Sequence, residues 1–141
     1  AKVMKLLLDK PARPGLEGAV DHTLKFLSAV ASPAYPPDAG LLKTLITASV
    51  ERSYRPDGIA RQMHAVMTDT ERANQLHRIT APTLVIHGKA DPLVPYACGE
   101  DTARRIPGAR LLGIEGMGHD LPPAVVARLL EALVPFFNEH P

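Results

Sequence analysis

At Thr80 the apolar periodicity of this 141-residue chain changes, and that break constrains the fold more than any single motif. Upstream, residues 1–79 carry helical spacing and little that reads as strand. In "LEGAVDHTLKFLSAVA" the apolar positions Leu16, Val20, Leu24, Leu27 and Val30 recur at intervals of three and four, while Asp21, His22 and Lys25 fall on the other face. The proline-rich break "SPAYPPD" follows, and "AGLLKTLITASVERSY" repeats the pattern until "RPDG" stops it. "GIARQMHAVMTD" and "ERANQLHRI" predict two further helices. Downstream, "PTLVIHG" is a short β-branched run between Pro82 and Gly88, the mark of a strand buried on both faces in a parallel sheet. "YACGEDTARRIPG" predicts a helix ending near Pro107 and Gly108, "ARLLGIEG" a second buried strand, and "PPAVVARLLEALVPFFNEH" a closing helix with prolines in its first turn. The order strand, helix, strand, helix is α/β grammar, with parallel strands joined by right-handed crossovers. The expected fold class is therefore α/β, a mostly helical segment (1–79) followed by a β-α-β-α unit (80–141).

Composition narrows the function classes. Sixteen Lys and Arg against fifteen Asp and Glu leave a formal charge of +1, and Arg104–Arg105 is the longest basic run, so nucleic acid is not an expected partner. The single cysteine, Cys98, excludes an internal disulfide and a Cys-rich zinc site, in keeping with a reducing compartment. No apolar run approaches the ~20 residues of a membrane helix, and "KVMKLLL" lacks a signal-peptide cleavage site. A cytoplasmic protein with no membrane partner is the expectation. The helical pattern entered directly after Ala1 suggests a piece of a longer polypeptide.

In open α/β sheets, reactive groups gather beyond the carboxyl ends of the strands. Asp91 lies four residues after His87, and His119 five after Ile114. Neighbouring parallel strands at roughly 4.8 Å would bring both loops to one rim, where the Asp91 carboxylate could orient the His119 imidazole. Gly116 and Gly118 in "EGMGHD" allow a sharp turn before the histidine, and Pro92 and Pro95 stiffen the aspartate loop. Asp before Pro also opens ordinary turns, and a loop histidine can be incidental.

With those residues in view, "PTLVIHGKADPLVP" followed by "IPGARLLGIEGMGHDLP" resembles the C-terminal portion of α/β-hydrolase-fold enzymes. There the triad acid follows the penultimate strand in a G-x-x-D-x-x-V-P context and the histidine follows the last strand in a G-x-G-H context. The resemblance covers residues 80–141 and implies Asp91 as acid and His119 as base. It also implies that 1–79 is a helical cap inserted before the last strands. "GMGHDLPP" is similar to ester-cleaving members, which implies a small ester or acyl substrate and no cofactor.

The nucleophile motif G-x-S-x-G does not occur. Ser28, Ser32, Ser49 and Ser53 all fall in the helical half without the glycines of an elbow, so the nucleophile and oxyanion hole are expected outside this chain. The chain alone is then expected to be inactive, and a two-stranded sheet with open edges is expected to form a homo-oligomer, through the exposed strand edge or the cap helices. Competing readings are an idle assembly module and a parent of another chemistry on this fold, such as a dehalogenase, lyase or cofactor-free peroxidase. Among the remaining residues, Asp120 is expected to cap the last helix and Cys98 to be a half-buried packing residue. Met63 and Met67, four apart, are expected in a core, with a pocket lining as the alternative, and His22, His64, His77 and His140 on solvated or packed helix faces. His87, His119 and Asp120 lack the spacing of a metal site.

Overall fold

Proline and glycine punctuation delimits the helices of the computed structural model, which describes residues 2–140. Helix α1 spans Lys2–Leu8 and α2 Gly15–Val30, separated by the break containing Pro11 and Pro14. Helix α3 (Ala39–Arg52) starts where the Asp38 carboxylate accepts the Leu41 N–H at 2.7 Å, a cap worth about 1 kcal/mol. Helix α4 (Pro56–Thr68) opens on a proline whose missing N–H costs nothing in the first turn. The helix expected from "ERANQLHRI" is only one turn, α5 (Arg72–Gln75), continued by a 3-10 turn over Leu76–Arg78. Four of these seven residues are charged or amide-bearing, so little apolar surface is available to extend it.

The second half is β1 (Leu84–Gly88), α6 (Tyr96–Arg105), β2 (Arg110–Ile114) and α7 (Pro123–Glu139). The strands pair in parallel from Leu84 opposite Arg110 to Gly88 opposite Ile114. Successive side chains of a strand alternate between faces. On one face Ile86, Leu112 and Ile114 join Met117 and the α7 residues Val125 and Leu129 in one apolar cluster that also takes in Tyr35. On the other, the His87 ring meets the edge of Tyr96 from α6 at 5.8 Å. Val125 and Val30 are fully buried, each stabilising by about 2 kcal/mol through lost apolar area. Arg110 and Glu139 pair at 3.0 Å near the far end of α7.

Burial departs from the sequence expectation in several places. The strands are not buried on both faces: Leu84 to His87 are half-buried, and Arg110 and Leu111 are exposed. Two strands with one helix on each face leave the flanks uncovered. Ile46 alone is buried on α3, α4 buries nothing, and Met67 is 73% exposed with Met63 half-buried, so this methionine pair is not core. Helical spacing reveals an apolar face, but only another element covers it. Among the described residues no helix is long and apolar enough to cross a membrane.

Candidate functional site

The loops leaving the two strands are bound to each other before either side chain is considered. Lys89 N–H donates to Ile114 O at 3.0 Å and Ala90 N–H to Met117 O at 2.9 Å. Gly88 sits where Met117 and Gly118 cross it, and a Cβ there would lie 2.4 Å from Met117 O. This crossing carries Asp91 and His119 to one rim, with Asp91 Oδ2 2.7 Å from His119 Nδ1.

Asp91 is at once a turn-former and a partner of the imidazole. Its Oδ1 accepts the N–H groups of Leu93 at 2.8 Å and Val94 at 2.9 Å, which closes the turn toward α6. Its Oδ2 is left for the histidine. The carboxylate side chain is 4% exposed and the imidazole 45%. Burial pushes the Asp91 pKa up, but the Val94 N–H, the His119 ring and the Leu93 N–H together outweigh it and hold the carboxyl below its ordinary value. An ionised, buried carboxylate bonded to Nδ1 leaves Nε2 as the nitrogen for proton transfer.

The histidine loop is shaped by contact as much as by backbone freedom. Gly116 has φ +67°, and a Cβ on it would also meet Ala34 Cβ at 2.3 Å. Gly118 has no such φ; it is required because the Val30–Ala31 backbone lies against it, with Val30 O 2.5 Å from where a Cβ would be. The segment after α2 is thus seated on this loop, and His119 N–H donates to Val30 O at 2.7 Å. Asp120 does not cap α7, whose N-cap is Pro122 without a side-chain bond. Its Oδ1 instead accepts the Ser32 N–H at 2.9 Å and the Ser32 hydroxyl.

An open depression of about 300 Å³ lies over this rim, lined by Ile86, Gly88, Asp91, His119 and Leu121 among others. A neighbouring one of about 290 Å³ shares Asp120 and Leu121 and is walled by Leu27 of α2 and Leu41, Leu42 and Leu45 of α3. Sequence reasoning missed these leucines as pocket residues. Their signal was an α3 stripe too apolar for a solvated helix. Cys98 is exposed, not half-buried, because α6 turns that position outward from the sheet. His64, His77 and His140 are exposed and His22 half-buried; the His87 ring bonds Gly88 O at 2.9 Å instead of joining His119. Ser28 and Ser49 lie on α2 and α3 and Ser53 ends α3, while Ser32 is buried.

A parallel strand pair sandwiched by helices, with a preceding helical segment resting on the loop after the last strand, defines the C-terminal part of an α/β-hydrolase. The chain belongs to the α/β-hydrolase family described as TAP-like protein, whose sequence model matches residues 56–128, just over half of it. Over 62 residues it is 45% identical to rhodomycin D methylesterase DnrP of Streptomyces peucetius, covering 44% of this chain and 21% of that protein. It is 47% identical over 62 residues to rhodomycin D methylesterase DauP of Streptomyces sp. (strain C5), with the same 44% and 21% covered. The esterase RhEst1 from Rhodococcus sp. ECU1013 superposes with a TM-score of 0.68 at 19% identity, over 96% of this chain and 47% of that one. At that identity the likeness is one of fold. The matches span about a fifth of the length of these curated relatives and just under half of the solved one.

Proposed function

We propose that this chain carries the general base and the orienting acid of a serine-type α/β-hydrolase that cleaves a carboxylic ester. The nucleophile and oxyanion hole would come from polypeptide outside these 141 residues. The observation that carries the reading is the 2.7 Å contact between the buried Asp91 carboxylate and His119 Nδ1. In this role Nε2 of His119 takes the proton of a serine hydroxyl as the serine oxygen bonds to the ester carbonyl carbon. The same proton then passes to the alkoxide as the carbon–oxygen bond breaks, and a water repeats the cycle to release the acid. Asp91 stabilises the imidazolium formed in both halves.

The neighbouring leucine-lined depression suits an apolar acyl or alcohol group next to the reacting carbonyl. The two methylesterase relatives favour an ester over other acyl bonds. Residues 1–79 act as the cap: the segment after α2 rests on the histidine loop, and α2 with α3 walls the depression. The test is hydrolysis of a p-nitrophenyl ester. The 141-residue chain is expected to leave it intact, and the parent polypeptide to cleave it. In the parent, Asp91→Asn should lower kcat by about 10⁴ through the wrong imidazole tautomer, and His119→Gln should lower it at least as far. Full activity in the His119 variant would overturn the assignment.

A further inference from the structure

Resting on the triad reading above, we propose that Ser32 and Asp120 are positioning residues for His119, a polar latch by which the end of α2 sets the direction of the imidazole. Ser32 is 1% exposed, so the whole residue, hydroxyl included, is withdrawn from solvent. Its hydroxyl is used in both senses, accepting the Gly118 N–H at 2.8 Å and donating to Asp120 Oδ1. The same Oδ1 accepts the Ser32 N–H at 2.9 Å. A buried hydroxyl that both donates and accepts holds its partners firmly, because breaking either bond leaves a desolvated polar atom.

What the latch holds is the approach to the histidine. The consecutive N–H groups of Gly118 and His119 are both taken by this one segment, through Ser32 Oγ and Val30 O. Asp120 pins the other side of His119. Glycine is the residue least able to keep its own φ and ψ. With the peptide groups on both sides of Gly118 bonded, its torsions are set, and so is the Cα–Cβ direction of the next residue, His119. Neither Ser32 nor Asp120 is bonded to the ring itself, so their effect reaches it only through the backbone.

The test uses the 141-residue chain with ¹⁵N-labelled histidine, following the ring Nδ1–H resonance of His119 by NMR, with far-UV circular dichroism as the check on folding. Ser32→Ala and Asp120→Ala are each expected to speed exchange of that proton with water by at least about tenfold, the loss of roughly one hydrogen bond of ordering. Asp120→Asn, which keeps the accepting Oδ1, is expected to restore the wild-type rate. Because Asp120 is only half-buried, the Ala and Asn pair keeps the test decisive even if Ser32→Ala does not fold. Asp91→Ala separates the two readings. If it leaves the resonance untouched, the acid and base assignment fails. If it removes the resonance while Ser32→Ala and Asp120→Ala leave exchange unchanged, the latch is overturned. In the parent enzyme the latch variants should lower kcat by about 10²-fold, the cost of a misplacement near 1 Å, with little change in KM. An effect on KM alone would overturn the proposal as well.

Discussion

Gly88→Ala should be strongly damaging for so small a change as one added methyl at the rim. The new Cβ would lie 2.4 Å from Met117 O, 2.5 Å from Gly118 O and 2.8 Å from Met117 C, all backbone atoms. An ordinary contact needs roughly 1 Å more. The crossing loop cannot retreat freely, because Met117 O accepts Ala90 N–H at 2.9 Å and Gly118 N–H is held by Ser32 Oγ at 2.8 Å. Overpacking costs about 1–3 kcal/mol, and one backbone hydrogen bond lost in the retreat adds about 1 kcal/mol. The expected destabilisation is therefore about 2–4 kcal/mol, a large share of the 5–15 kcal/mol typical of a folded domain. Urea unfolding followed by circular dichroism measures it, with Gly58→Ala as the matched control. Gly58 lies in α4 with its nearest neighbour, Arg55 Cβ, at 3.7 Å. There alanine should stabilise by about 0.5–1 kcal/mol through helix propensity. A Gly88→Ala protein within about 0.5 kcal/mol of wild type would refute the crossed-loop argument.

Stability should depend on acid through Asp91. Its folded-state pKa is lowered, so the stabilisation is complete above the ordinary carboxylate value of about 4 and is lost as pH falls through the lower folded value. The difference in urea midpoint between wild type and Asp91→Asn should shrink below pH 4; a constant difference would contradict the pairing. Val125→Ala removes a fully buried side chain from the cluster between β2 and α7, and should cost about 2–3 kcal/mol by the same unfolding measurement. Cys98 is exposed, so a thiol reagent should label it in the folded protein as fast as in urea to within about tenfold; slower labelling would mean the residue is covered. Self-association is expected from the outward stripe of α7, where Leu130 is 53%, Val134 54% and Phe137 62% exposed. Light scattering at micromolar concentration should give a dimer or larger, and a monomer would dismiss it.

Local chemistry was legible wherever its cause was local. Pro82 and Gly88 bounded β1, the break "SPAYPPD" preceded α3, and the spacing of Asp91 and His119 beyond two β-branched or leucine-rich runs pointed to a shared rim. Coverage was not legible. The stripe of α3 and the Met63–Met67 pair have the spacing of core faces, yet only Ile46 of α3 is buried and Met67 stands in solvent. Asp120, with Leu121 between it and Pro122–Pro123, reads as a helix cap, and only the approach of Ser32, 88 positions away, gives its carboxylate a better donor.

What the sequence determined by itself was periodicity and punctuation: a helical half, two short parallel strands, and two loops carrying an acid and an imidazole. Those properties come from side-chain spacing and backbone torsions within a few residues. Only the tertiary structure decided that Gly118 is glycine to admit the Val30–Ala31 backbone, and that buried Ser32 joins the helical half to the histidine loop. Contacts between segments far apart in the chain arise from the shape of the packed whole, which no window of neighbouring residues contains.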